Sequence, residues 1–262
     1  MPDVSSHAPG SFSWVELSTT DQKGGVSFYR SLFGWHVNEA PMGPGEIYSL
    51  FTMRDRQVAA AYTMRPEEKQ AGAPPHWNMY VAVENADTTV KKAKELGANV
   101  LAPAFDGMDV GRMAVLQDPA GAVFSIWQPK THQGVQINNE PGSLCWSENT
   151  TRDTGKAEAF YTKLFGWTAK HGAASDPMQY TEFSIGGRAS IGMLPMPKEM
   201  PPHVPSYWMP YFQVAACDAS VAKAKSLGAK LMVGPHDIAD TGRFAILNDP
   251  QGAMFAVFSP KT

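Results

Sequence analysis

Phe28-Tyr29-Arg30-Ser31-Leu32-Phe33-Gly34-Trp35 recurs as Phe160-Tyr161-Thr162-Lys163-Leu164-Phe165-Gly166-Trp167, identical at six of eight positions. The agreement extends outward at the same offset of 132: Trp14, Glu16, Thr19 and Asp21 return as Trp146, Glu148, Thr151 and Asp153. A second block, Gly111 through Pro129, returns as Gly242 through Pro260 at an offset of 131, with 10 of 19 residues identical. It carries Asp118-Pro119 with Gly121, matched by Asp249-Pro250 with Gly252. Two copies of roughly 120 residues with landmarks in one order are a duplication, and a repeat is read first because it dictates the fold.

Within the first copy, residues 12–19 alternate as a strand, with Trp14, Glu16 and Ser18 on one face. Asp21 stands where a carboxylate can accept the free amide hydrogens of a helix's first turn. Phe28, Tyr29, Leu32 and Phe33 then share one helical face, and Gly34 ends the helix. Strands are expected near 35–38, 47–53 and 58–62, and the Pro/Gly-rich 65–75 is expected to be a linker. The pattern then restarts: a strand at 77–83, a helix capped by Asp87 and ended by Gly97, and strands near 100–101, 112–116 and 123–127. Each half is βαβββ, and the chain holds four such modules, with a second Pro-rich joint at 195–205.

The 262 residues suit two ordinary domains. A net charge of −3 gives no electrostatic footprint for nucleic acid. No apolar run reaches the length of a membrane span, and Met1–Gly10 lacks the layout of a secretion signal. Cys145 and Cys217 sit at non-equivalent places in the second copy, so neither a disulfide framework nor a thiolate metal site follows. A cytoplasmic protein with two reduced thiols is the expectation.

Paired βαβββ modules carrying Phe-Tyr-x-x-Leu-Phe-Gly-Trp in the first and Asp-Pro-x-Gly in the second resemble the vicinal oxygen chelate superfamily. That superfamily includes glyoxalase I, extradiol dioxygenases, fosfomycin-modifying enzymes and bleomycin-binding resistance proteins. More narrowly, the chain is similar to the tandem glyoxalase-like proteins of actinomycetes, some of which accompany antibiotic biosynthesis. The resemblance covers residues 10–129 and 142–260, joined by a linker at 130–141. It implies an α+β fold of four modules paired into two half-barrel domains.

It also implies where metal ligands would stand, on the concave face of each half-barrel. Those positions hold Trp14 and Trp146, Asn78 and Met209, and Ser125 and Ala256, and the last strand of each first module has no acid. A divalent cation wants several imidazole, carboxylate or thiolate donors, so no metal and no cofactor are expected. His7 and His132 fall in the tail and the linker, and no histidine recurs in the other copy. His76, two residues before Asn78, is the best placed and is read as a surface or hydrogen-bonding residue.

The concave faces would then present Trp14, Glu16, Tyr48, Asn78, Tyr80, Ser125 and Trp127 in one copy. The other would present Trp146, Glu148, Tyr180, Met209, Tyr211, Ala256 and Phe258, with Glu182 nearby. Such a slot binds flat conjugated molecules. Glu16 and Glu148 are open to three roles: general base, partner for a ligand amino group, or acceptor for neighbouring N–H groups. No catalytic residue is assigned, because no second titratable group is in view. Arg112 and Arg243 are expected to pair with Asp118 and Asp249.

The reading is a metal-independent protein that holds a hydrophobic, polycyclic aromatic natural product, for self-resistance or to assist a biosynthetic oxygenase. The alternative is an enzyme of the superfamily, an isomerase or a metal-free catalyst using Glu16 or Glu148. Neither nucleic acid nor membrane is an expected partner. The fused copies suit a monomer with an internal pseudo-dimer.

Overall fold

The computed structural model describes residues 4–43, 45–173 and 178–261. The first copy runs β1 (Phe12–Thr19), α1 (Gln22–Phe33), β2 (His36–Gly43), β3 (Glu46–Met53), β4 (Arg56–Thr63) and a short α2 (Pro66–Gln70). It continues with β5 (His76–Ala82), α3 (Ala86–Glu95), β6 (Asn99–Gly107), β7 (Gly111–Gln117) and β8 (Val123–Pro129). The second copy opens with β9 (Leu144–Thr151), α4 (Thr154–Phe165), β10 (Thr168–His171), β11 (Thr181–Ile185) and β12 (Arg188–Pro195). It ends with β13 (Tyr207–Gln213), α5 (Cys217–Ser226), β14 (Lys230–Ile238), β15 (Gly242–Asn248) and β16 (Met254–Pro260).

Each copy forms one eight-stranded sheet, ordered β2-β3-β4-β1-β5-β8-β7-β6 and β10-β11-β12-β9-β13-β16-β15-β14. β1 lies parallel to β4 and antiparallel to β5, so the two βαβββ modules of a copy meet along their first strands. The second sheet repeats this through β9, β12 and β13. The architecture is α+β, four modules in two tandem sheets. Among the described residues no helix is long and apolar enough to cross a membrane.

The first helix of each copy starts and stops as its residues dictate. Asp21 accepts from the Gly24 amide at 3.0 Å and Asp153 from the Lys156 amide at 2.9 Å. Gly34 and Gly166 end the helices at φ 75° and 73°, a left-handed turn that glycine adopts without steric cost. The second helix corrects the expectation. Asn85, not Asp87, caps α3 by accepting from the Thr88 amide at 2.9 Å. Asp87 sits within the first turn and takes both arms of Arg112, at 2.9 and 2.8 Å. Arg243 grips Asp218 in the same way. The arginines therefore do not pair with Asp118 and Asp249. The 65–75 stretch is likewise more than a linker, since α2 forms within it, with the Glu68 carboxylate accepting from the Arg65 amide at 2.8 Å.

Asp118 and Asp249 are buried and serve the contact between copies. Trp77 Nε1 donates to the Tyr29 hydroxyl at 3.0 Å, and that hydroxyl donates to Asp249 Oδ2 at 3.1 Å. The mirror image is Trp208 to Tyr161 at 2.8 Å and Tyr161 to Asp118 at 2.7 Å. Each aspartate's other oxygen gathers the backbone amides of its own Asp-Pro turn. The repeated tryptophans also reach across: Trp35 Nε1 donates to the Gly142 carbonyl and Trp167 Nε1 to the Gly10 carbonyl. Lys92 and Lys223 donate to the Leu164 and Leu32 carbonyls near the opposite copy's helix ends, which carry unsatisfied acceptors. One continuous apolar core includes Phe28, Tyr29 and Leu32 of α1 together with Phe212 and Phe255 of the second sheet. The doubled phrase is thus the code for the contact between copies.

Candidate functional site

On the first sheet, β1 and β5 place Glu16 opposite Asn78 and Trp14 opposite Tyr80, while β4 sets Ala60 beside Glu16. Alternation turns Trp14, Glu16 and Tyr80 to the face away from the helices. Trp14 Nε1 donates to the Tyr48 hydroxyl at 3.0 Å, and Tyr48 donates to Glu16 Oε2 at 2.8 Å. Tyr80 donates to Glu16 Oε1 at 2.5 Å. The second sheet repeats the constellation: Trp146 to Tyr180 at 3.0 Å, Tyr180 to Glu148 Oε2 at 2.8 Å, and Tyr211 to Glu148 Oε1 at 2.6 Å. Of the three roles open to the glutamates, the structure shows acceptance, from tyrosine hydroxyls rather than from amides or indoles.

Burial raises the pKa of both acids above the usual 4.5, against the hydrogen bonds from the tyrosines. Burial, and then the neighbouring carboxylate, pushes Tyr48, Tyr80 and Tyr211 well above 10, so they remain neutral donors. The indole is thereby held by a hydroxyl that is itself anchored on an acid. This is a positioned aromatic plate, with one titratable group behind it.

The two faces diverge around this shared core. Asn78 turns away from Glu16 and donates to the Tyr62 hydroxyl at 2.9 Å, while His76 Nε2 lies 3.1 Å from Asn78 Oδ1. Tyr62 and Ser18 both donate to Glu68 Oε1, at 2.9 and 3.0 Å. On the second sheet Met209 stands opposite Glu148 and Leu194 opposite Thr150, so that polar chain has no counterpart there. Gly192 takes the place of Ala60; a β-carbon on it would fall 1.8 Å from the Tyr180 hydroxyl and 2.7 Å from Trp146 Nε1. Glu182 stands apart from the network, 3.8 Å from Lys170.

The linker is the largest departure from the sequence reading. Residues 131–136 fold back over the first concave face. The His132 ring stands edge-on to Trp14, 4.4 Å between centroids at 87°, and 5.6 Å from Trp127. Val135 is 1% exposed in one cluster with Trp14, Ala60, Tyr80 and Trp127. The backbone is pinned as well: Trp127 Nε1 donates to the His132 carbonyl at 2.9 Å, Val135 N to the Ser13 carbonyl and Gln136 N to the Gln57 carbonyl, both at 2.7 Å. His7 reaches the Val135 carbonyl at 2.9 Å. Gly134, at φ +112°, lies where a β-carbon would come within 2.3 Å of the Ser13 carbonyl oxygen. His7 and His132, assigned to tail and linker, therefore belong to this face.

The matching cluster on the second sheet is made only of strand residues. Met209, Tyr211 and Ala256 form its buried part, with Cys145, Trp146, Tyr207, Phe244, Ile246, Met254 and Phe258 partly exposed around them. Phe244, Ile246 and Met254 were missed because the stretch from β15 to the start of β16 was read for its Gly-Arg and Asp-Pro landmarks alone. A groove of about 970 Å³ lies on the helix side of the first sheet, between α1, the β2–β3 hairpin and α2, and none of the residues expected on the concave faces lines it.

The residues present do not fit a divalent metal. Trp14, Asn78 and Ser125, and Trp146, Met209 and Ala256, offer no anionic or imidazole donor, and Glu16 and Glu148 already accept two hydroxyls each. Among the described residues no three His, Cys, Asp or Glu side chains converge closely enough to hold one.

A family model described as the Glyoxalase/Bleomycin resistance protein/Dioxygenase superfamily matches residues 11–126 and 146–257. The chain is 40% identical over 261 residues to CFP32 of Mycobacterium tuberculosis, a protein named as a candidate glyoxylase, covering 99% of this chain and 98% of that one. It is 31% identical over 264 residues to the anthracycline biosynthesis protein DauV of Streptomyces sp. strain C5, covering 95% and 93%. Among solved structures, the Mn(II)-bound glyoxalase of Novosphingobium aromaticivorans shares the fold with a TM-score of 0.66 at 12% identity, over 96% of this chain and 82% of that one. The 2,3-dioxygenase LapB of Pseudomonas sp. KL28 does so with a TM-score of 0.64 at 15%, over 100% and 94%.

Proposed function

The chain belongs to the glyoxalase/bleomycin resistance protein/dioxygenase superfamily, and we propose that it is a metal-independent binding protein for a hydrophobic, polycyclic aromatic natural product. The observation that carries this reading is the doubled Trp–Tyr–Glu–Tyr network, whose tryptophans stand where the family resemblance implies a metal ligand. An indole fixed in orientation by a hydrogen bond offers a rigid stacking surface, and methionine and phenylalanine around it adapt to a flat ligand. The 31% identity to a protein named for anthracycline biosynthesis supports a fused-ring product as ligand, either sequestered for self-resistance or passed to a biosynthetic oxygenase. Free Cys145 and Cys217 suit a cytoplasmic setting. The reciprocal contact between copies suits a monomer.

Titration of chelator-treated protein with an anthracycline, followed by tryptophan quenching, tests the proposal. Saturable binding tighter than about 100 μM, with the ligand recovered unchanged, is expected; binding no tighter than about 1 mM overturns it. Binding that returns only with added Mn(II) or Zn(II) does so too. A second reading, metal-free catalysis, is favoured by one feature: buried Glu148 with a raised pKa, the kind of group that active sites use. A ligand returned chemically altered, with turnover lost in Glu148→Gln, would select it.

A further inference from the structure

The first concave face already has an occupant. Residues 131–136 bring an aromatic ring edge-on to Trp14 and Trp127, an aliphatic group into the buried cluster, and backbone groups onto Ser13, Gln57 and Trp127. A ring and an apolar group held on a short chain are the features of a bound ligand, and here the chain supplies them itself. The second face has the same anchored indole. Its Trp146 and Phe258 stay partly exposed, where Trp14 and Trp127 are 3% and 4% exposed.

We propose that segment 131–136 is a tethered ligand that fills the first face, so that the protein has a single open site, the second face. We further propose that this site takes a flat, apolar ring system standing against Trp146 as His132 stands against Trp14. This rests on the binding reading above and adds to it a location and a stoichiometry.

The substitutions between the copies state the class. The donor that holds the segment's carbonyl, Trp127 Nε1, is replaced by Phe258, which has none. Asn78 becomes Met209, Ser13 becomes Cys145, and Met113, Val115 and Val123 become Phe244, Ile246 and Met254. Each of these changes removes a polar atom or adds apolar bulk, while at the rim Leu50 and Val110 become Glu182 and Thr241. The second face has therefore lost the indole donor that holds the segment's carbonyl and gained apolar surface for rings. Glu148 accepts from the Tyr180 and Tyr211 hydroxyls and brings no positive charge to pair with an anionic ligand, so it suits a neutral or cationic one.

The test uses the full chain and 1-aminoanthracene, a neutral three-ring fluorophore. Titration is expected to saturate at one equivalent per chain. Nuclear Overhauser contacts should run from the probe to the Trp146 indole, and the His132 ring resonances should stay unmoved at saturation. Trp146→Ala should weaken binding at least tenfold. His132→Gly combined with Val135→Gly should raise the stoichiometry to two by emptying the first face. Two equivalents on the unmodified chain, or probe contacts to Trp14 with displaced His132 signals, overturn the inference while leaving the binding reading intact. No saturable binding overturns the binding reading, and this inference falls with it.

Discussion

Trp14 and Trp146 occupy equivalent places and make the same 3.0 Å hydrogen bond to a tyrosine, yet one is buried under an imidazole ring and the other stays partly exposed. The contact between copies shows no such divergence: Tyr29 with Asp249 and Tyr161 with Asp118 are the same arrangement twice. The difference teaches where each copy depends on the other. A buried aspartate whose partner hydroxyl comes from the opposite copy cannot change alone without leaving an unpaired polar group. A concave face has no partner in the other copy, so one could be filled by the linker while the other lost its polar rim.

The largest expected effect comes from putting a charge under the first face. Val135 is 1% exposed, and Val135→Asp would bury a carboxylate among Trp14, Tyr80 and Trp127. The expected cost is about 3 kcal/mol, limited by the ability of 131–136 to peel away rather than bury the charge. Tryptophan emission should shift to the red as Trp14 and Trp127 meet water. An unchanged emission maximum and denaturation midpoint would mean the segment is not seated as described.

His132 gives the next effect. Burial, with a smaller push from His7, lowers its pKa from 6.5 to about 4. The unfolded chain therefore takes up the proton first as pH falls. The seated segment contributes its full stability above about pH 6.5 and loses it progressively down to about pH 4, in total on the order of 3 kcal/mol. Ring-proton NMR should show His132 titrating near 4. A midpoint of about 6 or higher would show an imidazole in water, and the contrast between the faces would collapse.

Where the copies remain alike, paired substitutions should cost the same. Tyr161→Phe leaves Asp118 Oδ2 and Trp208 Nε1 without the hydroxyl between them, and Tyr29→Phe does the same to Asp249 and Trp77. Each should cost about 2 kcal/mol in urea denaturation, the price of buried polar atoms left unpaired. A large cost on one side and none on the other would show that the contact is not reciprocal.

The interface was legible because its residues recur: Phe-Tyr-x-x-Leu-Phe-Gly-Trp and Asp-Pro-x-Gly carry a helix stop and turns whose local causes are visible in sequence. What joined the two motifs was not legible, since a hydroxyl 220 positions from its acceptor leaves no local signature. The pairing of Arg112 with Asp87 instead of Asp118 was missed for the same reason, because both acids lie within plausible reach until the strand register is known. Alternation along β1, β5 and β8 correctly grouped Trp14, Glu16, Tyr80 and Trp127 on one side. It could not reveal that a loop without periodicity would lie on top of them. Acceptance was one of three roles left open for Glu16 and Glu148, but their donors are hydroxyls of Tyr48, on a strand whose register sequence does not fix, and of Tyr180, just ahead of β11.

The smallest effect belongs to the two acids themselves. Both have pKa values raised by burial, so the folded state favours the protonated carboxyl while the unfolded chain ionises near 4.5. Their contribution to stability is complete below about pH 4.5 and is lost as pH rises through the folded values. Glutamine cannot ionise. Glu148→Gln should therefore gain on the parent chain as pH is raised above the range where the unfolded carboxyl ionises, less whatever the weaker hydrogen bonds to an amide cost. Glu16→Gln should gain in the same sense, although the Arg65 charge helps Glu16 to ionise and Glu68 opposes it, whereas Tyr211 and Tyr180 are what assist Glu148. Melting temperatures of the three proteins across rising pH would decide it. A variant that gained nothing on the parent would mean that its glutamate is not held in a buried setting that disfavours its charge.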